Sequence, residues 1–185
     1  YIRELKPLSS QLNRGFARKT RLITMKTFKD IVEEARLDIK ELFPWDVEER
    51  RSENDEALIL DIREECEFSA YHIKHSMLVP RGILETACED EYEDAVPELI
   101  EARDREIIVI CRSGNRSVLA AQTMQWMGYK NVASMKTGLR GWNDFELPLY
   151  NLNHEVLDPD DVEQMLAAGF CSRMMHPDRR TIMDE

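Results

Sequence analysis

The chain has 185 residues, 43% hydrophobic and 33% charged, with a formal net charge of −11. That length suits one domain with appendages and is enough to bury a sizeable core. The acidic balance argues against nucleic acid as the main partner, since such binding rests on a basic surface. No apolar run approaches the ~20 residues a membrane helix needs.

The amino-terminal residues 1–24 carry six basic side chains and one acid, a net +5. They lack the apolar segment of a signal peptide. Met25 opens "MKTFKDIVEEA", which reads as an ordinary protein start, so residues 1–24 are expected to be a vector-derived or disordered basic arm. A native basic arm and a transit peptide are the alternatives.

Thr27 is placed to cap a helix, and Phe28, Ile31, Val32, Ala35, Ile39, Leu42 and Phe43 follow helical spacing. The predicted helix spans 27–43 and Pro44 stops or bends it. "VEERRSENDE" then reads as a solvated, charged connector. "ALILDIR" (57–63) is a short apolar run bounded by charge, and "SMLVP" (76–80) a second short strand. Residues 85–106 are acidic, with Ala95, Val96, Leu99 and Ile100 suggesting a helix under a charged face. "EIIVIC" (106–111) is the clearest strand, and Asn115 to Met127 the clearest helix, with Gly128 as its carboxyl-terminal cap. "NVASM" (131–135) is a further strand, and "TGLRGW" reads as a glycine turn. Asp158, Pro159 and two acids open a last helix, which Gly169 would stop. This alternation of strand and helix predicts an α/β fold with a mainly parallel sheet.

The chemistry concentrates at the junction of the clearest strand and the clearest helix. The first N–H groups of a helix lack internal partners, and the positive end of its dipole points back at the preceding loop. A thiol at that place is biased toward thiolate, more so beside Arg112 and Arg116. The same donors can hold an anion. Gly114 lets the backbone turn, while Ser113, Asn115 and Ser117 are small and can add hydrogen bonds. Cys111 is thus a candidate nucleophile in an anion-binding cradle of Arg112, Ser113, Gly114, Asn115, Arg116 and Ser117. The bland alternative is a buried, inert cysteine. None of the four cysteines (66, 88, 111 and 171) forms a C-x-x-C unit, so neither a zinc site nor a dithiol pair is expected. Reduced thiols in a cytoplasmic setting are the expectation.

The segments "LILDIREECEF" (58–68), "HI" (72–73), "VPRGILE" (79–85), "VICRSGNRSVLAAQTMQWMGYKNV" (109–132) and "TGLRGW" with "LP" (137–148) occur in an order that resembles single-domain rhodaneses, thiosulfate-type sulfurtransferases. The resemblance spans about residues 55–150. It implies a small, mainly parallel sheet flanked by helices, here with extra amino- and carboxyl-terminal helices. The domain division expected is the arm at 1–24, a helical extension at 25–52, the rhodanese-like domain at 53–150, and a helix and tail at 151–185.

The resemblance further implies that Cys111 takes a sulfane sulfur from thiosulfate or a persulfide as its own persulfide, then hands it to cyanide or a thiol. Arg112 and Arg116 would attract the anionic donor. A small anionic donor and a thiol or protein acceptor are the implied partners, with no cofactor and no metal. Asp61 and Arg63 match the family's Asp-x-Arg and are expected to pair structurally, with substrate contact as the alternative. Arg81 and Glu85 are placed at the active-site rim or on plain surface, His72 in the scaffold, and Trp142 in the core or pocket wall. Two departures concern turns: "YHIKHS" (71–76) replaces the usual Gly-His-Ile-Pro-Gly-Ala, and Thr137-Gly138 replaces a glycine pair.

Two other functions compete. A module that only docks a partner or relays sulfur would use the same fold. A cysteine-dependent phosphatase or arsenate reductase would use a similar cradle, but with five residues between Cys and Arg, against four between Cys111 and Arg116.

Overall fold

The computed structural model describes residues 25–54 and 57–168. The reading of residues 1–24, the stop at Gly169 and Cys171 lie outside these residues. In chain order the elements are α1 (Phe28–Arg36), β1 (Lys40–Leu42), α2 (Pro44–Glu53), β2 (Leu58–Asp61), α3 (Glu65–Ala70), β3 (Met77–Leu78), α4 (Leu84–Ala87), α5 (Pro97–Glu101), β4 (Glu106–Ile110), α6 (Asn115–Trp126), β5 (Asn131–Met135), α7 (Gly138–Asp144) and α8 (Pro159–Ala168).

The five strands form one sheet in the order β1-β5-β4-β2-β3, every neighbouring pair parallel. Parallel strands covered on both faces read as continuous apolar runs, which is why "LIL" and "IIVI" show no alternation of apolar with polar residues. The pleat nevertheless divides them. Leu58, Leu60, Ile107 and Val109 face one apolar cluster with Val32, Ala35, Leu99, Val118 and Met124. Ile59, Ile108 and Ile110 face the other, with Val47, Trp142, Val162 and Leu166. Helices α1 and α6 thus cover one face and α2, α7 and α8 the other. No helix among the described residues is long and apolar enough to cross a membrane.

The α/β class and the central strands agree with the sequence reading, while several local elements differ. The helix predicted over 27–43 starts at a capping box, in which Asp30 N–H donates to Thr27 Oγ1 at 3.2 Å, but ends at Arg36. Lys40–Leu42 instead pairs with Ala133–Met135 as an edge strand. Pro44 opens α2 rather than stopping α1, because a proline at the first helical position forfeits only an N–H that would be orphaned anyway. The charged "VEERRSENDE" stretch is mostly α2, whose Val47 is buried while Arg51 pairs with Glu48. The "TGLRGW" turn is the start of α7. It reads as a turn because glycines serve tight packing there: a Cβ at Gly141 would strike the Thr137 side chain.

Both departures from the family pattern keep the backbone shape that glycine would favour. His75 has φ 64° and Thr137 φ 66°, left-handed values rare for residues with a Cβ.

Candidate active site

Cys111 follows the last residue of β4, and α6 begins at Asn115, so the intervening loop lies at the carboxyl ends of the central strands. Backbone geometry makes this loop a cradle. Leu139 N–H, at the start of α7, donates to the Cys111 carbonyl at 2.9 Å, and Arg140 N–H donates to the Arg112 carbonyl at 3.0 Å. Helix α7 thus meets two of its orphan donors with loop carbonyls and holds those carbonyls away from the sulfur. Gly138 permits this approach: with φ +61°, a Cβ there would lie 2.5 Å from Ser113 N and run into the Cys111 carbonyl. Gly114, at φ +85°, caps α6, and a Cβ there would press on Thr137 N at 3.0 Å.

The Cys111 side chain is 0% exposed. Its Sγ receives Gly114 N–H at 3.2 Å and Ser117 N–H at 3.4 Å. Ser117 Oγ lies 3.5 Å from Sγ and also donates to the Gly114 carbonyl at 3.1 Å. Ser134 Oγ, on β5, donates to Ser117 Oγ at 2.8 Å. A sulfur so placed has polar hydrogens on one side and the core on the other.

The loop's longer side chains are each taken up by another element. Arg116 donates to both carboxylate oxygens of Glu67 at 2.9 and 2.8 Å. Arg112 donates to the Leu166 carbonyl near the end of α8. Asn115 Oδ1 accepts from Arg36 of α1 at 3.1 Å. Ser113 is exposed at the loop surface.

Behind the loop, Asp61 and Arg63 are both fully buried and bound to each other, Arg63 Nη2 meeting Asp61 Oδ2 at 2.8 Å. Arg63 also donates to the carbonyls of Tyr71 (2.6 Å) and Glu67 (3.2 Å), which fixes α3 beside the loop. The structure therefore ties Asp61 and Arg63 into the scaffold of α3. Arg81 is not brought to the loop. It binds Glu85 at 2.8 Å and Thr123 at 3.2 Å, two turns along α6 from Asn115. His72 sits in the scaffold, with Nδ1 3.1 Å from the Phe68 carbonyl and its ring stacked on Phe68. Burial lowers the His72 pKa, and Arg63 adds to that, against the Phe68 carbonyl.

Burial would raise the Glu67 carboxyl, but the Arg116 pair and the Glu64 N–H outweigh it and hold the pKa below its ordinary value. Arg116 is affected in the opposite sense: burial disfavours its charge, yet Glu67 and the nearby Cys111 raise its pKa.

Sequence reasoning missed Glu67, Ser134, Gly138 as a loop support, and Arg36. Glu67 left a signal, an acid four residues past Arg63 in a segment that faces the core. Ser134 left another, a lone hydroxyl in an apolar strand. The cysteine expectation also needs correction: Cys66 is disulfide-bonded. Cys88 and Cys111 are free thiols, and burial pushes the Cys88 thiol up.

Comparison with known proteins matches the same region. A family profile described as "Rhodanese-like domain" covers residues 45–145, more than half of the chain. "Putative sulfur carrier protein YrkF" of Bacillus subtilis is 38% identical over 94 residues, which are 50% of this chain and 45% of that one. A protein named "Sulfurtransferase" from Allochromatium vinosum is 23% identical over 111 residues, covering 60% of this chain and 94% of that one. Among solved structures, a Rhodopseudomonas palustris protein of unknown function, described as a "Possible Tyrosine Phosphatase", superposes with a TM-score of 0.63 at 31% identity. That match covers 68% of this chain and 95% of the other. The chain spans less than half the length of the Bacillus protein. Five parallel strands, a cysteine loop between β4 and α6, and a family match over the same residues lead to one assignment: the chain belongs to the rhodanese-like domain family.

Proposed function

We propose that this protein is a sulfurtransferase that carries a sulfane sulfur on Cys111. The observation that carries the reading is the pair of N–H groups, from Gly114 and Ser117, aimed at Sγ. In the first half-reaction the Cys111 thiolate attacks the outer sulfur of thiosulfate. The S–S bond of the donor breaks, and sulfite leaves with its electron pair. In the second, cyanide or an acceptor thiolate attacks the outer sulfur of the persulfide and releases the Cys111 thiolate. One covalent intermediate serves both steps, so the kinetics are ping-pong. The names of the sulfur carrier and sulfurtransferase relatives support this class of reaction. Four residues separate Cys111 from Arg116, which makes a tighter loop than the five-residue spacing of cysteine phosphatases and speaks against a phosphate substrate.

A specific observation favours a relay as the second reading. Arg112 and Arg116 are engaged by Leu166 and Glu67, which leaves them less able to draw in a free anion. A protein persulfide would then be the better donor and a protein thiol the acceptor. Intact-mass measurement after treatment with thiosulfate, and separately with a persulfidated protein, tests both readings. One added sulfur on wild type and none on Cys111→Ser is the expected result. Equal uptake by the two proteins would show that another thiol is responsible.

A further inference from the structure

The matched family span is 45–145, and α1 with β1 precedes it. Yet α1 reaches into the cysteine loop. Its last residue, Arg36, donates through Nη1 to Glu33 at 2.8 Å and lies 3.5 Å from the Glu41 carboxylate through Nε. Nη2 donates to Asn115 Oδ1 at 3.1 Å. The helix that carries Arg36 is firmly seated: Val32 and Ala35 are buried in the same apolar cluster as Val118 and Ala121 of α6. The guanidinium therefore meets the loop from a rigid base.

The chemistry of that contact is directional. A guanidinium has five donors and no acceptor, so Asn115 can offer it only the amide oxygen. The amide hydrogens must then face away from Arg36. Asn115 directly follows Gly114, whose N–H points at the Cys111 sulfur. Without Arg36 the amide could turn over and present lone pairs instead of hydrogens on the side away from α1. Glu33 and Glu41 offset much of the Arg36 charge, so orientation, more than bulk attraction, is what Arg36 contributes.

We infer that Arg36 is a positioning residue of the sulfur-transfer loop, holding the Asn115 amide with its oxygen toward α1 and its hydrogens toward the path of an anionic sulfur donor. The inference rests on the sulfurtransferase reading. Its effect falls on the first half-reaction, where dianionic thiosulfate enters and sulfite departs. In the second half-reaction the cyanide ion attacks and thiocyanate leaves, so the amide meets a single negative charge where thiosulfate brings two, and its effect there is smaller.

Steady-state kinetics of the full chain with thiosulfate and cyanide test this, because a ping-pong enzyme gives a separate kcat/KM for each substrate. Arg36→Met should lower kcat/KM for thiosulfate about tenfold, the scale of one charge-assisted hydrogen bond, and lower kcat/KM for cyanide clearly less. Arg36→Lys should recover part of the loss, and Arg36→Met should cost nothing further in an Asn115→Ala background. An equal loss for both substrates would reduce Arg36 to an anchor of α1, and no loss for either would overturn the inference outright. Absence of any sulfur transfer by wild type would count against the reaction, not against the coupling. The Asn115 side-chain amide signals in NMR spectra of wild type and Arg36→Met decide the coupling separately: displaced signals support it and unchanged signals overturn it.

Discussion

Glu67 of α3 and Arg116 of α6 form a two-point ion pair, each carboxylate oxygen meeting its own guanidinium nitrogen at 2.8–2.9 Å. The Glu67 side chain is 5% exposed and that of Arg116 26%. A fork-to-fork pair of this kind fixes direction as well as distance. It holds the first turn of α6, and with it the N–H of Ser117, against the Cys111 sulfur.

Glu67→Gln should destabilise the protein by about 2 kcal/mol at pH 7, less than a fully buried pair because water still reaches Arg116. The Glu67 carboxyl titrates below its ordinary value of 4.5 in the folded protein. Its contribution is therefore complete above that pH and is lost as pH falls through the folded value. Urea denaturation of both proteins at pH 7, and again at successively lower pH below 4.5, should show the gap closing. A gap of constant size would mean that the pair contributes nothing through its charge.

Arg63 and Asp61 are the more severe case, since both are 0% exposed. Arg63→Met leaves a buried carboxylate without its partner and should cost about 3–5 kcal/mol. Asp61→Asn together with Arg63→Met should cost clearly less than the two single changes added. Double-mutant denaturation measures this coupling, and simple additivity would contradict it.

The hydroxyl chain from Ser134 through Ser117 to Cys111 predicts graded kinetics. Ser117→Ala removes the hydroxyl that accepts from the Cys111 thiol and ties down the Gly114 carbonyl, and should slow persulfide formation by up to about tenfold, the scale of one hydrogen bond. Ser134→Ala only frees the Ser117 hydroxyl to rotate, so a smaller loss is expected. The double variant should be no slower than Ser117→Ala. Rapid-mixing measurement of sulfur uptake, with circular dichroism to check the fold, resolves the three.

Gly138→Ala forces a Cβ into the backbone of Cys111–Ser113 at a left-handed residue. The loop must shift, so stability should fall by about 3 kcal/mol or more and sulfur uptake should be lost with it. Unchanged uptake would show that α7 does not shape the cradle. His75→Gly is the converse. It relieves φ 64° at an exposed position and should stabilise by about 1 kcal/mol, read as a shift in the urea midpoint.

Much of this protein was legible before its coordinates. "EIIVI" and "NVASM" announce buried parallel strands, and the spacing from Asn115 announces a helix, because each signal lies within a few adjacent residues. Errors arose where local and tertiary demands compete. Lys40–Leu42 fits a helical pattern, yet the exposed edge of β5 recruits it as β1. Pro44 is a stop or a start depending on which side can fold, and Asp46, accepting from Phe43 N–H, decides for the start.

By itself the sequence determined that a cysteine closes a buried strand and opens a helix, with glycine and small polar residues between. Such a junction is built from contiguous residues whose backbone needs are local. Only the tertiary structure decided which groups grip that loop: Arg36, 79 positions from Asn115; Glu67, 49 from Arg116; Leu166, 54 from Arg112; Ser134, 17 from Ser117. Nothing in local spacing encodes those meetings. They follow from the order in which parallel strands assemble and from the helices that must cross between them to bury both faces of one sheet.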